Sequence, residues 1–450
     1  MSSADVVEQA LALSRADACM VVLRASSRAD LRWAGNTLTT NGAVRGRSLT
    51  VISIIGQQVG VRAATVVDDL ETLVRASERA ARAASPAEDA GPLVEGAAQA
   101  DFASPAPEVA ADVFASLARG LGEAFSDGRR TGLDLYGYAS HDLTTTWLAS
   151  STGLRLRHTQ PTGYVEVTGK SDGGSSWVGQ HTRDWSDISV PDLDGELRRR
   201  LGWGRRSLDL PAGRYETLLP PSATADLFGY LYWSASGRSA AEGRTVFSRA
   251  GGGTRVGERL GPTGLRLWSD PAAPGLGGSP FAVATGSSSM ASVFDNGLAL
   301  PSTDWLDDGR LSALVHTRAS SRAQGVPASP YVHNLAMDGG GTAGTDDLVA
   351  STERGLLLTC LWYIREVDPQ TLLLTGLTRD GVYLVEDGQV VGRVNNFRWN
   401  ESPVSLLGRI SEVGATRPTL PREWSDDLTY VRMPPLRVSD FNMSSVSQAS

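Results

Sequence analysis

Lysine is almost missing from this chain of 450 residues, in which Lys170 is the single lysine among 42 basic residues. An enzyme that forms a Schiff base with its substrate needs a lysine amine, so that chemistry would have to run through Lys170. The two cysteines, Cys19 and Cys360, are too few for a disulfide framework or for a zinc site made of cysteines alone. We therefore expect two buried thiols in an intracellular protein.

Histidine is also scarce, and its five copies are scattered as His141, His158, His181, His316 and His333. No two of them lie within one helical turn, whereas a zinc site on a helix needs imidazoles about one turn apart and a carboxylate base. The Gly-x-Ser-x-Gly pattern of a serine nucleophile is absent as well. The chain therefore lacks the patterns of a helical zinc hydrolase and of a serine hydrolase.

The charge and hydropathy patterns exclude two further classes. The net charge is −8 and the pI is about 5.3, which argues against a nucleic-acid-binding face. No apolar run approaches the length of a membrane span. The first residues have neither the basic nor the apolar region of a signal peptide, so we expect a cytoplasmic protein without nucleic-acid or membrane partners.

Two glycine-rich motifs suggest phosphate binding but fit loops better. Gly169-Lys170-Ser171 resembles the end of a P-loop, but residues 164–168 alternate like a strand, so we expect a hairpin turn. Residues 339–344 match Gly-x-Gly-x-x-Gly without the strand–helix–strand context of a dinucleotide site. We expect a loop that precedes a short helix.

Hydrophobic periodicity predicts an α+β fold. Helical spacing of apolar residues predicts helices at 4–16, 68–84 (capped by Asp68), 108–125 and 194–201. Alternating segments predict strands at 18–25, 31–34, 49–55, 58–63, 133–139, 144–149, 154–159 and 164–168. We expect an N-terminal antiparallel sheet-plus-helix domain at 1–211 and a β-rich, barrel-like C-terminal domain at 212–450.

A recognisable order of short motifs runs through the second half. It comprises Phe294-Asp-Asn-Gly297, residues 308–318, His333-Asn-Leu335, residues 354–359, Thr375-Gly376, residues 380–388 and residues 395–399. Together with the first helix, the strand at 31–36 and the helix at 68–84, this order resembles the TldD/PmbA family. Members of that family act as peptidases that trim small peptides.

The resemblance implies a role for this chain in a pair of subunits. The TldD kind of subunit binds zinc through a helix with two histidines around a glutamate and through a later cysteine. The TldE (PmbA) kind lacks these ligands and completes the chamber that holds the peptide. In this chain the helix-sized segment 228–243 has no histidine, and no cysteine follows Cys360. The resemblance thus implies a TldE-like subunit that binds no metal, with zinc in a TldD-like partner.

Four residues at predicted strand ends are our candidates for lining that chamber: His316, Arg318, His333 and Asn334. We assign no catalytic residue and no metal ligand to this chain, and we expect an extended peptide as the substrate. Two other hypotheses remain open. The chain could be a divergent homodimeric hydrolase of a small peptide-like or amide metabolite, or a regulatory binding protein without hydrolytic activity.

Overall fold

The N-terminal half is built around a long antiparallel sheet. The computed structural model describes residues 1–65, 69–110, 112–171, 174–428 and 430–447. The strand order in this sheet is β3-β2-β1-β4-β5-β6. Its strands are β1 (Ala18–Trp33), β2 (Leu38–Ile55), β3 (Gln58–Ala64), β4 (Asp134–Ser150), β5 (Arg155–Ser171) and β6 (Gly174–Thr182).

Helices cover one face of this sheet. Alternate residues of β1, such as Val21 and Leu23, bury their side chains against Val7 and Val74 on two of the helices. Asp69 caps the second helix by accepting a hydrogen bond from the Thr72 amide, and the predicted cap Asp68 lies outside the described residues. The helices are α1 (Ser3–Leu13), α2 (Leu70–Ala83), α3 (Ala115–Thr131) and α4 (Val190–Trp203).

Several predicted strands merge into longer ones. The segments predicted at 18–25 and 31–34 form the single strand β1, and those at 133–139 and 144–149 form β4. The polar residues Ser26 and Arg28 break the apolar pattern without ending the ladder, because β1 pairs continuously with a strand on each side. Helix α3 begins at Ala115 rather than at residue 108.

The C-terminal half contains two sheets, and neither closes on itself within the described residues. The larger has the order β14-β15-β18-β22-β8-β13-β16-β17-β7, with β19 beside β22, and the smaller has the order β11-β10-β9-β12-β21-β20. The β-rich prediction is confirmed, but the barrel-like closure is corrected to two open sheets. Their strands are β7 (Ser207–Leu208), β8 (Gly213–Leu219), β9 (Arg266–Ser269), β10 (Thr303–Asp307), β11 (Arg310–Leu311), β12 (Leu335–Asp338), β13 (Arg354–Leu358), β14 (Leu361–Asp368), β15 (Leu373–Thr378), β16 (Val382–Glu386), β17 (Gln389–Val394), β18 (Phe397–Glu401), β19 (Ile410–Val413), β20 (Arg417–Thr419), β21 (Val431–Met433) and β22 (Leu436–Val446).

A largely apolar helix lies between these two sheets. This helix, α5 (Pro221–Trp233), contacts β8 of the larger sheet and β20 and β21 of the smaller one. A helix of such composition is stable only when it is buried, and nine of its thirteen residues are. The remaining helices are short: α6 (Gly237–Ala241), α7 (Arg318–Gln324), α8 (Thr345–Ala350) and α9 (Pro403–Leu407), with a 3₁₀ turn at Val293–Asp295.

The two halves meet on the face of the N-terminal sheet that the helices leave open. Met20 packs against Val293 and Phe294 of the C-terminal half, and Val22 packs against Phe281. Beyond Val22 the same face of β1 becomes polar. The domain boundary at residue 212 stays a prediction. In the described part of the chain, no helix is both long and apolar enough to cross a membrane.

Candidate functional site

A cleft of about 300 Å³ lies where this polar face meets the C-terminal half. Strands β1, β4 and β5 form one wall, and residues 278–284, 290–292 and 330–333 contribute to the other. Its volume is at the lower end of the range for small-molecule sites, so the cleft suits a ligand of a few residues at most. Both halves of the chain are needed to form it.

The register of the N-terminal sheet aligns polar side chains along the floor of the cleft. Arg24 of β1 lies opposite Thr146 of β4, which lies opposite His158 of β5. The next row on the same face carries Thr144 and Gln160. Side chains two residues apart on a strand point to the same face, so these rows form one polar surface. His158 Nε2 and Gln160 Oε1 are 3.0 Å apart.

Aromatic rings form the facing wall, and α5 holds them in place. The ring of Tyr331 stacks on Tyr232 with centroids 4.8 Å apart and meets the His333 ring edge to face at 4.9 Å. Trp233 Nε1 donates to the Tyr331 hydroxyl at 3.0 Å. The Tyr232 hydroxyl accepts from the Val332 amide at 2.9 Å and donates to the Val332 carbonyl at 3.0 Å. The last residues of α5 therefore fix the segment that lines the cleft.

The basic groups of the cleft include one guanidinium without a partner. Arg24 makes no hydrogen bond or ion pair with the residues that the structure describes. Burial lowers the pKa of His333 from its ordinary value, and the positive charge of Arg24 lowers it further. Burial also lowers the pKa of His158, and the hydrogen bond from His158 to the Gln160 amide oxygen opposes this shift. Both imidazoles are therefore neutral near pH 7, while Arg24 stays charged.

Two carboxylates line the same cleft in different states. Asp295 is paired with Arg318, whose Nε lies 2.8 Å from its Oδ1. Asp427 is exposed and its side chain has no partner in the described part of the chain. Burial raises the pKa of Tyr331 to about 12, the hydrogen bond from Trp233 opposes this, and the charge of Asp427 adds to it. Within the described residues, the cleft thus offers one unpaired cation and one unpaired anion.

Of the four predicted chamber residues, His333 lies in this cleft. His333 is exposed because the cleft is open to water. The walls of the cleft nevertheless surround it on several sides. The other three predicted residues are outside the cleft lining. Their role in a chamber that a partner would complete stays a prediction.

Those three residues hold backbone segments together. His316 is buried, its Nδ1 lies 3.2 Å from the Ser320 hydroxyl, and its ring touches Gly237 so closely that a Cβ there would be 2.1 Å away. The Arg318 guanidinium also donates to the Pro92 carbonyl at 2.8 Å, which ties α7 to the N-terminal half. The buried Asn334 amide donates to the carbonyls of Asp270 and Leu276 at 2.7 and 2.8 Å.

The segment 228–243 is not one continuous helix. It contains the end of α5, a break at 234–236 and the short helix α6. The one carboxylate in α5, Asp226, is fully buried and accepts a hydrogen bond from the Glu423 amide at 3.0 Å. Burial raises its pKa well above the ordinary value. Among the described residues, no three His, Cys, Asp or Glu side chains cluster as metal ligands would.

Both cysteines are buried, as the sequence predicted. Burial raises the pKa of Cys19 to about 11 and that of Cys360 to about 12, so both are protonated thiols rather than nucleophiles. Arg422 lies 2.8 Å from the Cys360 sulfur and pairs with Asp380 at 2.8 Å. This cluster joins the two halves, because the Arg422 guanidinium also lies over the Trp177 ring of β6.

Sequence reasoning missed most of the cleft. Arg24 and His158 belong to strands that are separated by more than 100 residues, and only the register of β4 between them brings them together. Tyr331 lies two residues from the predicted His333, so a search of its neighbours would have found it. Asp427 and Tyr430 belong to none of the sequence motifs, so nothing in the sequence marked them as residues of a site.

Comparison with known proteins establishes the family. Residues 212–445 match the family model described as the PmbA/TldA metallopeptidase C-terminal domain, which spans just over half of the chain. The chain belongs to this family. Curated protein sequences give no significant match.

Solved structures support the same fold over the whole length. TldE from Thermococcus kodakarensis has a TM-score of 0.78 at 15% identity, covering 97% of this chain and 98% of that one. A Thermotoga maritima protein proposed to modulate DNA gyrase has a TM-score of 0.77 at 15% identity, covering 97% and 99%. A Bacteroides thetaiotaomicron protein with the same proposed role has a TM-score of 0.78 at 14% identity, covering 98% of each chain. At these identities the likeness shows the fold alone.

Proposed function

We propose that this chain is the metal-free subunit of a heterodimeric zinc peptidase of the TldD/TldE type, which trims small or unfolded peptides. A TldD-like partner would hold the zinc, and this chain would help to form the chamber around the peptide. Family membership supports the general class. The finer assignment is that this chain is the subunit without zinc. It rests on what the side chains of the α5–α6 segment contact.

In the TldD kind of subunit, a helix at this position supplies two histidines and a glutamate. Here the α5 part of the corresponding segment 228–243 ends in Tyr232 and Trp233, whose polar groups bind Val332 and Tyr331. A catalytic zinc site needs three protein ligands and an open coordination position. Side chains that fix the wall of a cleft support a role in holding a ligand rather than a metal.

Co-expression with a TldD-like zinc subunit tests this proposal. We expect the two chains to elute together in size-exclusion chromatography and the pair to cleave short unstructured peptides. The purified chain alone should not cleave them. Cleavage by the pure chain would support the homodimeric hydrolase instead, and failure to assemble with any zinc subunit would contradict the proposed pairing.

A further inference from the structure

We propose that the cleft of this chain binds a short zwitterionic peptide, with the peptide carboxylate on Arg24 and its α-ammonium group on Asp427. That the ligand is a peptide rests on the proposed function, whereas the placement of its two charges rests on the cleft. Binding would occur in this chain alone, without the partner subunit.

Arg24 is suited to a carboxylate because its charge is not otherwise satisfied. Its guanidinium lines the cleft and has no hydrogen-bond or ion-pair partner in the part of the chain that is described. A guanidinium presents its N–H donors in a planar fork that matches the two oxygens of a carboxylate. The neighbouring hydroxyl of Thr146 and the ring of His158, in the same row of the sheet, add uncharged hydrogen-bonding groups.

Asp427 lines the same cleft as Arg24 and supplies the negative charge. The charge of Arg24 acts on His333, while the charge of Asp427 acts on Tyr331. These two rings touch edge to face, with centroids 4.9 Å apart. Arg24 is therefore near the His333 ring of this contacting pair, and Asp427 is near the Tyr331 ring. Arg24 and Asp427 both line the cleft, so one bound molecule that carries both charges can meet each of them.

The remaining surface suits the body of a small peptide. Phe281, Tyr331 and Tyr430 give apolar surface, and Thr144 and Gln160 give hydrogen-bonding groups for a backbone amide. A volume of about 300 Å³ admits a dipeptide and excludes a folded chain. Pockets of this kind combine aromatic walls with a few polar groups that set the orientation of the ligand.

The test is binding of the dipeptide Ala-Leu to the purified full-length chain by calorimetry. Its C-terminal amide and its N-acetyl derivative serve as probes that each lack one charge. The variants Arg24→Gln and Asp427→Asn remove the corresponding protein charges. Arg79→Gln and Asp307→Asn are matched controls, because both residues are exposed and their side chains have no partner among the described residues.

We expect Ala-Leu to bind and each charge removal to weaken binding at least about tenfold. Amidation of the peptide should weaken its binding to the unmodified protein but cause little further loss of binding to Arg24→Gln. Acetylation of the peptide should weaken its binding to the unmodified protein but cause little further loss of binding to Asp427→Asn. The two control variants should bind as the unmodified protein does. Absence of binding, or binding that Arg24→Gln and amidation leave unchanged, would overturn the proposal.

The result separates this proposal from the proposed function. Binding of Ala-Leu by the pure chain, with the expected charge dependence, would stand even if no zinc subunit pairs with it. An active pair whose isolated TldE-like chain fails to bind Ala-Leu would instead leave the peptidase role intact and refute the cleft as a peptide site.

Discussion

Tyr331 and Tyr232 stack nearly parallel, with ring centroids 4.8 Å apart and an angle of 15° between their planes. The contact connects α5 directly to the wall of the cleft. Stacked and edge-to-face aromatic pairs contribute about 0.5–1.5 kcal/mol beyond the burial of their area. Helix α5 therefore helps to shape the wall of the cleft.

Tyr232→Phe should destabilise the chain although it leaves the ring in place. The substitution removes the hydroxyl that serves both the amide and the carbonyl of Val332, and it leaves two buried backbone groups unpaired. We expect a loss of about 1–3 kcal/mol in the free energy of unfolding. Urea unfolding measures it. Tyr363→Phe, at an exposed tyrosine, is the control and should stay within about 0.5 kcal/mol of the unmodified protein.

Arg422→Gln should be more damaging, because it removes the partner of a carboxylate that is largely buried. Asp380 would keep a hydrogen bond from Ser175 but lose the guanidinium at 2.8 Å. Breaking a buried pair in this way typically costs about 3–5 kcal/mol. Arg379→Gln is the matched control, because Arg379 is half exposed and 3.6 Å from the same carboxylate, and we expect a loss below about 1 kcal/mol. Equal losses in the two variants would contradict the assigned role of Arg422.

The pH dependence of stability should carry a contribution from His181. This residue is buried, and burial lowers its pKa to about 4 from the ordinary 6.5, with Arg183 and Arg432 adding to the shift and Asp187 opposing it. Between these values the unfolded chain binds more protons than the folded one, so stability should fall as the pH falls from about 6.5 to 4. We expect a loss of about 2–3 kcal/mol from this group. Urea unfolding at pH 7 and pH 4.5 should show a smaller difference in His181→Gln than in the unmodified protein.

Grafting the missing zinc ligands should fail. The triple variant Ser234→His, Ala235→Glu and Ser239→His reproduces the residue types of the zinc helix. Residues 234 and 235 lie in the break between α5 and α6, however, whereas residue 239 lies in α6. The later cysteine of the TldD kind of subunit is also missing, because no cysteine follows Cys360, and a zinc site needs its ligands held in place before the metal binds. We expect no peptidase activity and at most weak zinc binding in competition with a chromogenic chelator. Stoichiometric tight binding would mean that an unrecognised ligand already stands in place.

The course of the chain through the N-terminal half could largely be predicted from alternation and helical spacing. The prediction erred where polar residues lie inside long strands, because Ser26 and Arg28 face the open side of the sheet and look like a turn in the sequence. The open C-terminal sheets were expected to be barrel-like, since strand number alone does not show whether the end strands pair. Strands β14 and β7 are the two ends of the larger sheet, and within the described residues they do not pair with each other.

The site was less predictable than the fold. His333 was selected for its position at a predicted strand end, while Arg24 and Asp427 reach the cleft through contacts between segments that are far apart in the sequence. His316, Arg318 and Asn334 are polar residues beside strands. His316 contacts the Ser320 hydroxyl, and Arg318 and Asn334 donate to backbone carbonyls, contacts that could not be told from ligand contacts without coordinates. The sequence shows which residue types each strand carries. Only the register of β1, β4 and β5 shows which of these residues lie side by side.

Zinc analysis of the purified chain and of its complex with a TldD-like subunit tests the central claim most directly. The account predicts no bound zinc in this chain alone after dialysis against dilute zinc, and one zinc per heterodimer, held by the partner. Mutation of the partner's histidines should abolish both that zinc and peptide cleavage. Stoichiometric zinc in the pure chain, together with peptide cleavage, would contradict the account.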